Sequence, residues 1–238
     1  MNHNVDIFIG THCNYKFPDN DIYKIIYNGN EELNTNLKVY HEENEVLHNL
    51  FADAYRIDYI FKYITLKEYV GLVQYKRYFE FFNNVPNIDD IFKDYDVIVP
   101  SNRQISINNL YDQYVSCHDI ISINSLLEIL HEKYPEYEST IHQWRNIPYI
   151  IPHCMFIMKS NDFRKMHNFL FDIFNEFVVR NNIYTMNDVK LIFNKGINYK
   201  VIGFLCERLM TVYFRHNFKK IKYINVIQTW KCIITICY

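Results

Sequence analysis

The chain has 238 residues, 49% of them hydrophobic and 17% aromatic, with a formal net charge of −2 and a pI near 6.5. That is enough apolar material for one substantial core and too little length for two full domains, so a single domain over residues 1–238 is expected and a disordered chain is excluded. The balanced charge offers no field for a nucleic acid, and no apolar run reaches the roughly 18 residues of a membrane span.

The N-terminus, Met1-Asn-His-Asn, lacks the charged and apolar regions of a signal peptide, so a cytoplasmic protein is expected. Its six cysteines are scattered, with no C-x-x-C pair, and read as reduced thiols used as core filler.

In chain order, Val5 to Ile9 is a short β-branched and aromatic run closed by Gly10, which predicts a buried first strand followed by a Thr11-His12-Cys-Asn turn. Ile22 to Tyr27 is a second candidate strand, and Val46 to Tyr63 carries apolar residues at helical spacing. Glu68 to Tyr75 is almost continuously apolar, as in a central strand covered on both faces, and places Lys76 to Phe79 at its carboxyl end, facing the main cleft. Asp96 to Pro100 predicts another strand. Ser125 with Glu128 has the capping-box spacing for a helix to about Lys133. Met155 to Met158 predicts a strand, Ser160 a cap for a long amphipathic helix through Val178, and Val201 to Tyr213 a further helix. Strands alternate with helices without a repeat or flexible linker, giving an α/β layered domain. The final apolar stretch, Cys232 to Tyr238 behind Lys219, Lys220 and Lys222, is read as a strand docked on the sheet in preference to a peripheral membrane contact.

Several of these segments, in this order, resemble the DUF4422-type family of bacterial and viral proteins associated with polysaccharide biosynthesis. They are Thr11-His12, Tyr69 through Phe79, Tyr95 through Pro100, His118, Tyr134 through Tyr137, Met155 through Lys159 and Gly203 through Arg208. The resemblance spans residues 5 to about 215 and leaves 217–238 outside it. The chain departs from the family pattern at Gln74-Tyr-Lys-Arg77, where His-Tyr-Arg-Arg is usual, and at Cys154, where asparagine is usual. What the resemblance implies is a glycosyltransferase of GT-A-like (Rossmann-like) fold, with a mixed, mostly parallel central sheet flanked by helices. It also implies a nucleoside-diphosphate-sugar donor, a UDP-sugar for preference, and a glycan or lipid-linked acceptor.

A departing diphosphate develops negative charge that must be stabilised. GT-A enzymes commonly use a divalent cation such as manganese or magnesium on an Asp-x-Asp motif. Here Lys76-Arg77 takes that position, so a metal is compatible but not expected, and two cations would meet the diphosphate directly. Asp94-Tyr-Asp96 precedes its strand and so belongs to the wrong end of the sheet, while Asp19-Asn-Asp21 reads as a turn. The resemblance assigns Thr11 and His12 to base or ribose recognition; Tyr15 and Tyr75 are candidates to support them, Tyr15 by stacking on the base. Glu207 is the candidate general base toward the acceptor hydroxyl and His118 the second catalytic candidate. For Glu207 the alternative is a structural ion pair with Arg208, and for His118-Asp119 a helix-end pair. A non-catalytic module that binds nucleotide-sugar or glycan on the same fold is the alternative function, and a structural protein a third. No P-loop, dinucleotide fingerprint, nucleophile elbow or H-E-x-x-H motif is present.

Overall fold

The computed structural model describes residues 4–42, 50–81, 84–101, 103–104, 109–144, 146, 149–193 and 200–229. Its strands are β1 (Val5–Thr11), β2 (Tyr23–Tyr27), β3 (Lys38–His41), β4 (Tyr69–Gln74), β5 (Arg77–Phe79), β6 (Val97–Pro100), β7 (Arg103–Gln104), β8 (Tyr149–Ile150), β9 (Phe156–Lys159), β10 (Ile221–Ile224) and β11 (Val226–Gln228). Its helices are α1 (Asp53–Tyr63), α2 (Ile88–Ile91), α3 (Leu110–Cys117), α4 (Ile120–Lys133), α5 (Glu138–Trp144), α6 (Ser160–Arg180), α7 (Met186–Ile192) and α8 (Val201–Asn217).

The main sheet runs β10-β6-β9-β4-β1-β2-β3, with β5 and β11 paired off this path. Along it β1, β2, β3 and β4 are mutually parallel, β10 is parallel to β6, and β9 lies antiparallel between β4 and β6. The result is the mixed, mostly parallel α/β sheet expected. Period-two alternation divides its core: Phe8, Val70, Phe156 and Met158 pack under the helices, while Ile7, Ile9, Val73 and Ile157 pack on the opposite face.

Two expected caps are corrected. Asp119, not Ser125, starts α4, accepting the Ile121 N–H at 3.0 Å, and Ser125 lies inside the helix accepting from Asn181. Ser160 does not cap α6; its hydroxyl donates to the Lys67 carbonyl, and Lys159 is the N-cap residue without a side-chain cap. The hairpin at Tyr75-Lys76 was also not anticipated. The chain reverses there, so Tyr78 and Phe79 are fully buried rather than facing a cleft. Cys232 to Tyr238 lies outside the described residues, while the preceding β10 and β11 join the sheet. Among the described residues no helix is long and apolar enough to cross a membrane.

α1 is locked to α6 by a buried polar clamp. Asp58 Oδ1 lies 2.9 Å from His167 Nε2, and Asp58 Oδ2 accepts from Lys62 Nζ at 2.6 Å. The His167 ring stacks between Phe61 and Phe171. Burial pushes the Asp58 carboxyl up, but hydrogen bonds from His167 and Lys62, with their charges, outweigh it and hold its pKa below the ordinary value. A depressed folded pKa contributes stability above the unfolded value and loses it as pH falls through the folded one. The stability gap between the parent and Asp58→Asn should therefore be full at neutral pH and close below about pH 4. Urea midpoints measured across pH check this; a gap that persists unchanged at acid pH would refute the electrostatic origin.

Candidate active site

A cavity of about 390 Å³ lies at the carboxyl ends of β1 and β4, the side of an open α/β sheet that binds ligands. One wall is Gly10 and His12 from β1 and its loop, with Gln74, Tyr75 and Arg77 from the β4–β5 hairpin. The start of α1 adds Ala52, Asp53 and Arg56. The turn before β9 brings His153 and Cys154, and α8 with its N-cap residue closes the far wall with Lys200, Gly203, Phe204 and Glu207.

Two glycines permit the close approaches that shape this space. A side chain at Gly10 would collide with Arg56, which lies across the end of β1, and a Cβ at Gly203 would stand 2.7 Å from Ala52 Cβ. Ala52 itself has φ 49°, breaking the helical path just before α1 so that Asp53 and Arg56 turn inward.

A continuous hydrogen-bonded chain crosses the cavity floor. Arg77 Nη1 donates to Gln74 Oε1 at 2.6 Å, and Gln74 Nε2 donates to Asp53 Oδ2 at 2.8 Å and to the His153 carbonyl at 3.1 Å. Arg56, 7% exposed, donates from Nη1 to Asp53 Oδ1 at 2.5 Å. The His153 N–H donates to Glu207 Oε1 at 2.6 Å, and Arg208 Nη1 donates to Glu207 Oε2 at 2.7 Å. Arg208 is itself buried, its Nη2 on Gln113 Oε1 and its guanidinium over the Tyr114 ring. Gln74 thus works as donor and acceptor at once, the two roles a neutral imidazole also offers.

His153 and Cys154 have φ of 73° and 52°. Left-handed backbone at a residue other than glycine costs on the order of 1 kcal/mol or more. Cys154 is buried, and its hydrogen bond to Cys206 together with burial pushes its thiol well above the usual range. It therefore lacks the thiolate that a cysteine nucleophile requires.

Of the residues singled out from sequence, His12, Tyr75, Arg77 and Glu207 line the cavity. Thr11 is fully buried and spends its hydroxyl on the Cys13 carbonyl, closing the turn after β1. Tyr15 is edge-on to Tyr75 at 5.4 Å, with its hydroxyl on the Thr229 carbonyl. Lys76 is exposed and outside the cavity lining; its ammonium lies 4.9 Å above the Tyr75 ring, and hydrogen bonding to Tyr75 raises its pKa. His118 caps the end of α3 and stacks on Phe204 at 4.2 Å, so Phe204 stands between it and the cavity. Glu207 lines the cavity and is at the same time in the ion pair with Arg208 that was its alternative reading. Asp19 and Asp21 are exposed in the turn before β2, where Asn20 Oδ1 accepts the Ile22 N–H. Asp96 lies at the opposite end of the sheet and accepts the Lys220 N–H.

Sequence reasoning missed Asp53, Arg56, His153 and Lys200. The charged pair Asp53 and Arg56, three apart within an apolar stripe, was the available signal; their inward turn depends on the break at Ala52, which no local pattern marks. Among the described residues no group of three or more His, Cys, Asp or Glu is arranged to hold a metal ion.

The profile of the family described as "Domain of unknown function (DUF4422)" matches residues 6–218. The chain belongs to this family. Among solved structures, the fold is similar to that described as "WbbM bifunctional glycosytransferase apo structure", with a TM-score of 0.79 at 18% identity. The match covers 95% of this chain and 45% of that one, so the chain spans less than half the length of that protein. The likeness establishes a glycosyltransferase-like fold. No curated protein matches significantly.

Proposed function

We propose that this chain is a glycosyltransferase that moves a sugar from a nucleoside-diphosphate donor, a UDP-sugar for preference, to a glycan or lipid-linked acceptor. The observation that carries this reading is one cavity with Arg77 on the strand-end wall and Glu207 on the facing helix. Glu207 takes the proton of the acceptor hydroxyl while that oxygen bonds to the anomeric carbon. The carbon–oxygen bond to the diphosphate breaks, its electron pair goes to the phosphate oxygen, and Arg77 meets the charge. His12 and Tyr75, ring centroids 5.1 Å apart, form the surface against which the base or ribose rests.

Arg77→Ala should weaken binding of the donor by about 1.5–3 kcal/mol, the range for a hydrogen bond to a charged group. Binding should survive a chelator, because fixed cations take the part of a divalent ion. Calorimetry in manganese and in chelator decides both points: binding abolished by chelator sinks the metal-free mechanism, and an unaltered Arg77→Ala sinks that residue's role.

A non-catalytic nucleotide-sugar or glycan-binding module is the second reading. It is favoured by the engagement of both Glu207 oxygens, one by a buried arginine and one by a main-chain N–H. Thermal stabilisation by a panel of UDP-, GDP- and dTDP-hexoses, followed by turnover of whichever binds, separates the two.

A further inference from the structure

The turn before β9 is left-handed at two consecutive residues, neither of them glycine. Such a conformation persists only where its surroundings over-determine it, and it gathers where a side chain must be aimed. Here both main-chain polar groups of residue 153 are held from opposite walls of the cavity. Its N–H is taken by Glu207 Oε1 at 2.6 Å and its carbonyl by Gln74 Nε2 at 3.1 Å. Gln74 in turn holds Arg77. Bond by bond, residue 153 therefore sits between the cation assigned to the diphosphate and the carboxylate assigned to the acceptor. The carbon undergoing transfer must lie between those same two groups, and His153 is among the residues that line this cavity. His118, by contrast, is screened by Phe204.

We propose that His153 hydrogen-bonds a hydroxyl of the sugar being transferred, and that the left-handed turn is retained because it aims the imidazole at that sugar. This rests on the glycosyltransferase reading. Glycine would suit the backbone of the turn better than any other residue, but it has no ring to present. Asparagine tolerates the left-handed region and keeps a polar head.

The test compares the parent with His153→Gly, His153→Ala and His153→Asn. Binding is measured for whichever UDP-, GDP- or dTDP-hexose most stabilises the parent, and for its nucleoside diphosphate alone. The glycine and alanine variants should lose about three- to tenfold in affinity for the sugar nucleotide, as for one neutral hydrogen bond, with none lost for the nucleoside diphosphate. His153→Asn should recover part of the loss. His153→Gly should melt above His153→Ala, since both lack the ring and only glycine relieves the backbone. Unchanged affinity for the sugar nucleotide in the glycine and alanine variants overturns the contact, as does equal loss for both ligands. A glycine variant that melts no higher than the alanine variant overturns the strain. These outcomes leave the glycosyltransferase reading standing; a parent that binds none of the sugar nucleotides removes that reading and this inference together.

Discussion

Glu207→Gln should lower turnover of the sugar nucleotide by about 10²- to 10⁴-fold, the usual contribution of a positioned general base, while donor affinity stays close to that of the parent. The amide can still accept the His153 N–H, so the turn before β9 keeps its anchor on that side. Its NH₂ group would face Arg208 Nη1, which then loses its 2.7 Å carboxylate partner. Arg208 is 4% exposed, so some loss of thermal stability should accompany the substitution. Glu207 is itself partly solvated, which moderates that loss. A structural carboxylate alone would lower the melting temperature and leave rates measured well below it nearly unchanged. Single-turnover kinetics at 20 °C or so below the variant's melting point separate the two cases; a rate within about threefold of the parent, under half a decade against the decades expected of a base, would remove Glu207 from the chemistry.

Phe174→Ala should destabilise the fold by about 3–5 kcal/mol, as for a fully buried aromatic side chain exchanged for a methyl group. Phe174 has no exposed surface and packs edge-on against Phe51 and Phe171, with centroids 6.4 Å and 5.9 Å away. The loss combines removed apolar area with a cavity that helices fixed on several sides refill poorly. For a domain of this size the melting temperature should drop on the order of 10 °C. The effect should also reach the cavity. Phe51 directly precedes the helix break at Ala52, and Ala52 is the residue against which Gly203 packs. Loosening Phe51 thus loosens the corner that turns Asp53 and Arg56 inward. Urea unfolding measures the first effect, and hydrogen exchange at the start of α1 the second; a loss below about 1 kcal/mol would mean the surrounding helices close over the gap.

The strands that form the middle of the sheet were readable because burial on both faces leaves a mark in composition. Val5 to Ile9, Tyr69 to Val73, Val97 to Val99 and Phe156 to Met158 are short, mainly apolar runs, and all their residues but the half-buried Asp6 are buried. The direction of β9 was not readable, since an antiparallel strand between parallel ones is decided by connections and not by its own residues. The β4–β5 hairpin escaped because Tyr75-Lys76 contains none of Gly, Asn, Asp or Pro, the residues that announce tight turns. Ser125 misled because a serine three residues before a glutamate also occurs inside helices. At the site, Arg77 and Glu207 were legible through the family resemblance, while Asp53, Arg56 and His153 reach the cavity through backbone departures at Ala52, His153 and Cys154.

The pairing of β11 with β5 bears on when, during synthesis, the cavity wall bearing Arg77 is completed. Gln228 stands opposite Arg77, the Thr229 N–H donates to the Lys76 carbonyl, and the Thr229 carbonyl accepts the hydroxyl of Tyr15, 214 residues earlier in the chain. On the ribosome the hairpin bearing Arg77 emerges long before the segment that braces it from outside. β1, β2 and β4 can assemble while translation continues, yet the hairpin carrying Arg77 stays without this brace until residues 226–229 leave the exit tunnel. Nascent chains stalled short of that point should build most of the sheet and still present a slack hairpin at Arg77, so this wall of the cavity is completed only after the strands it joins.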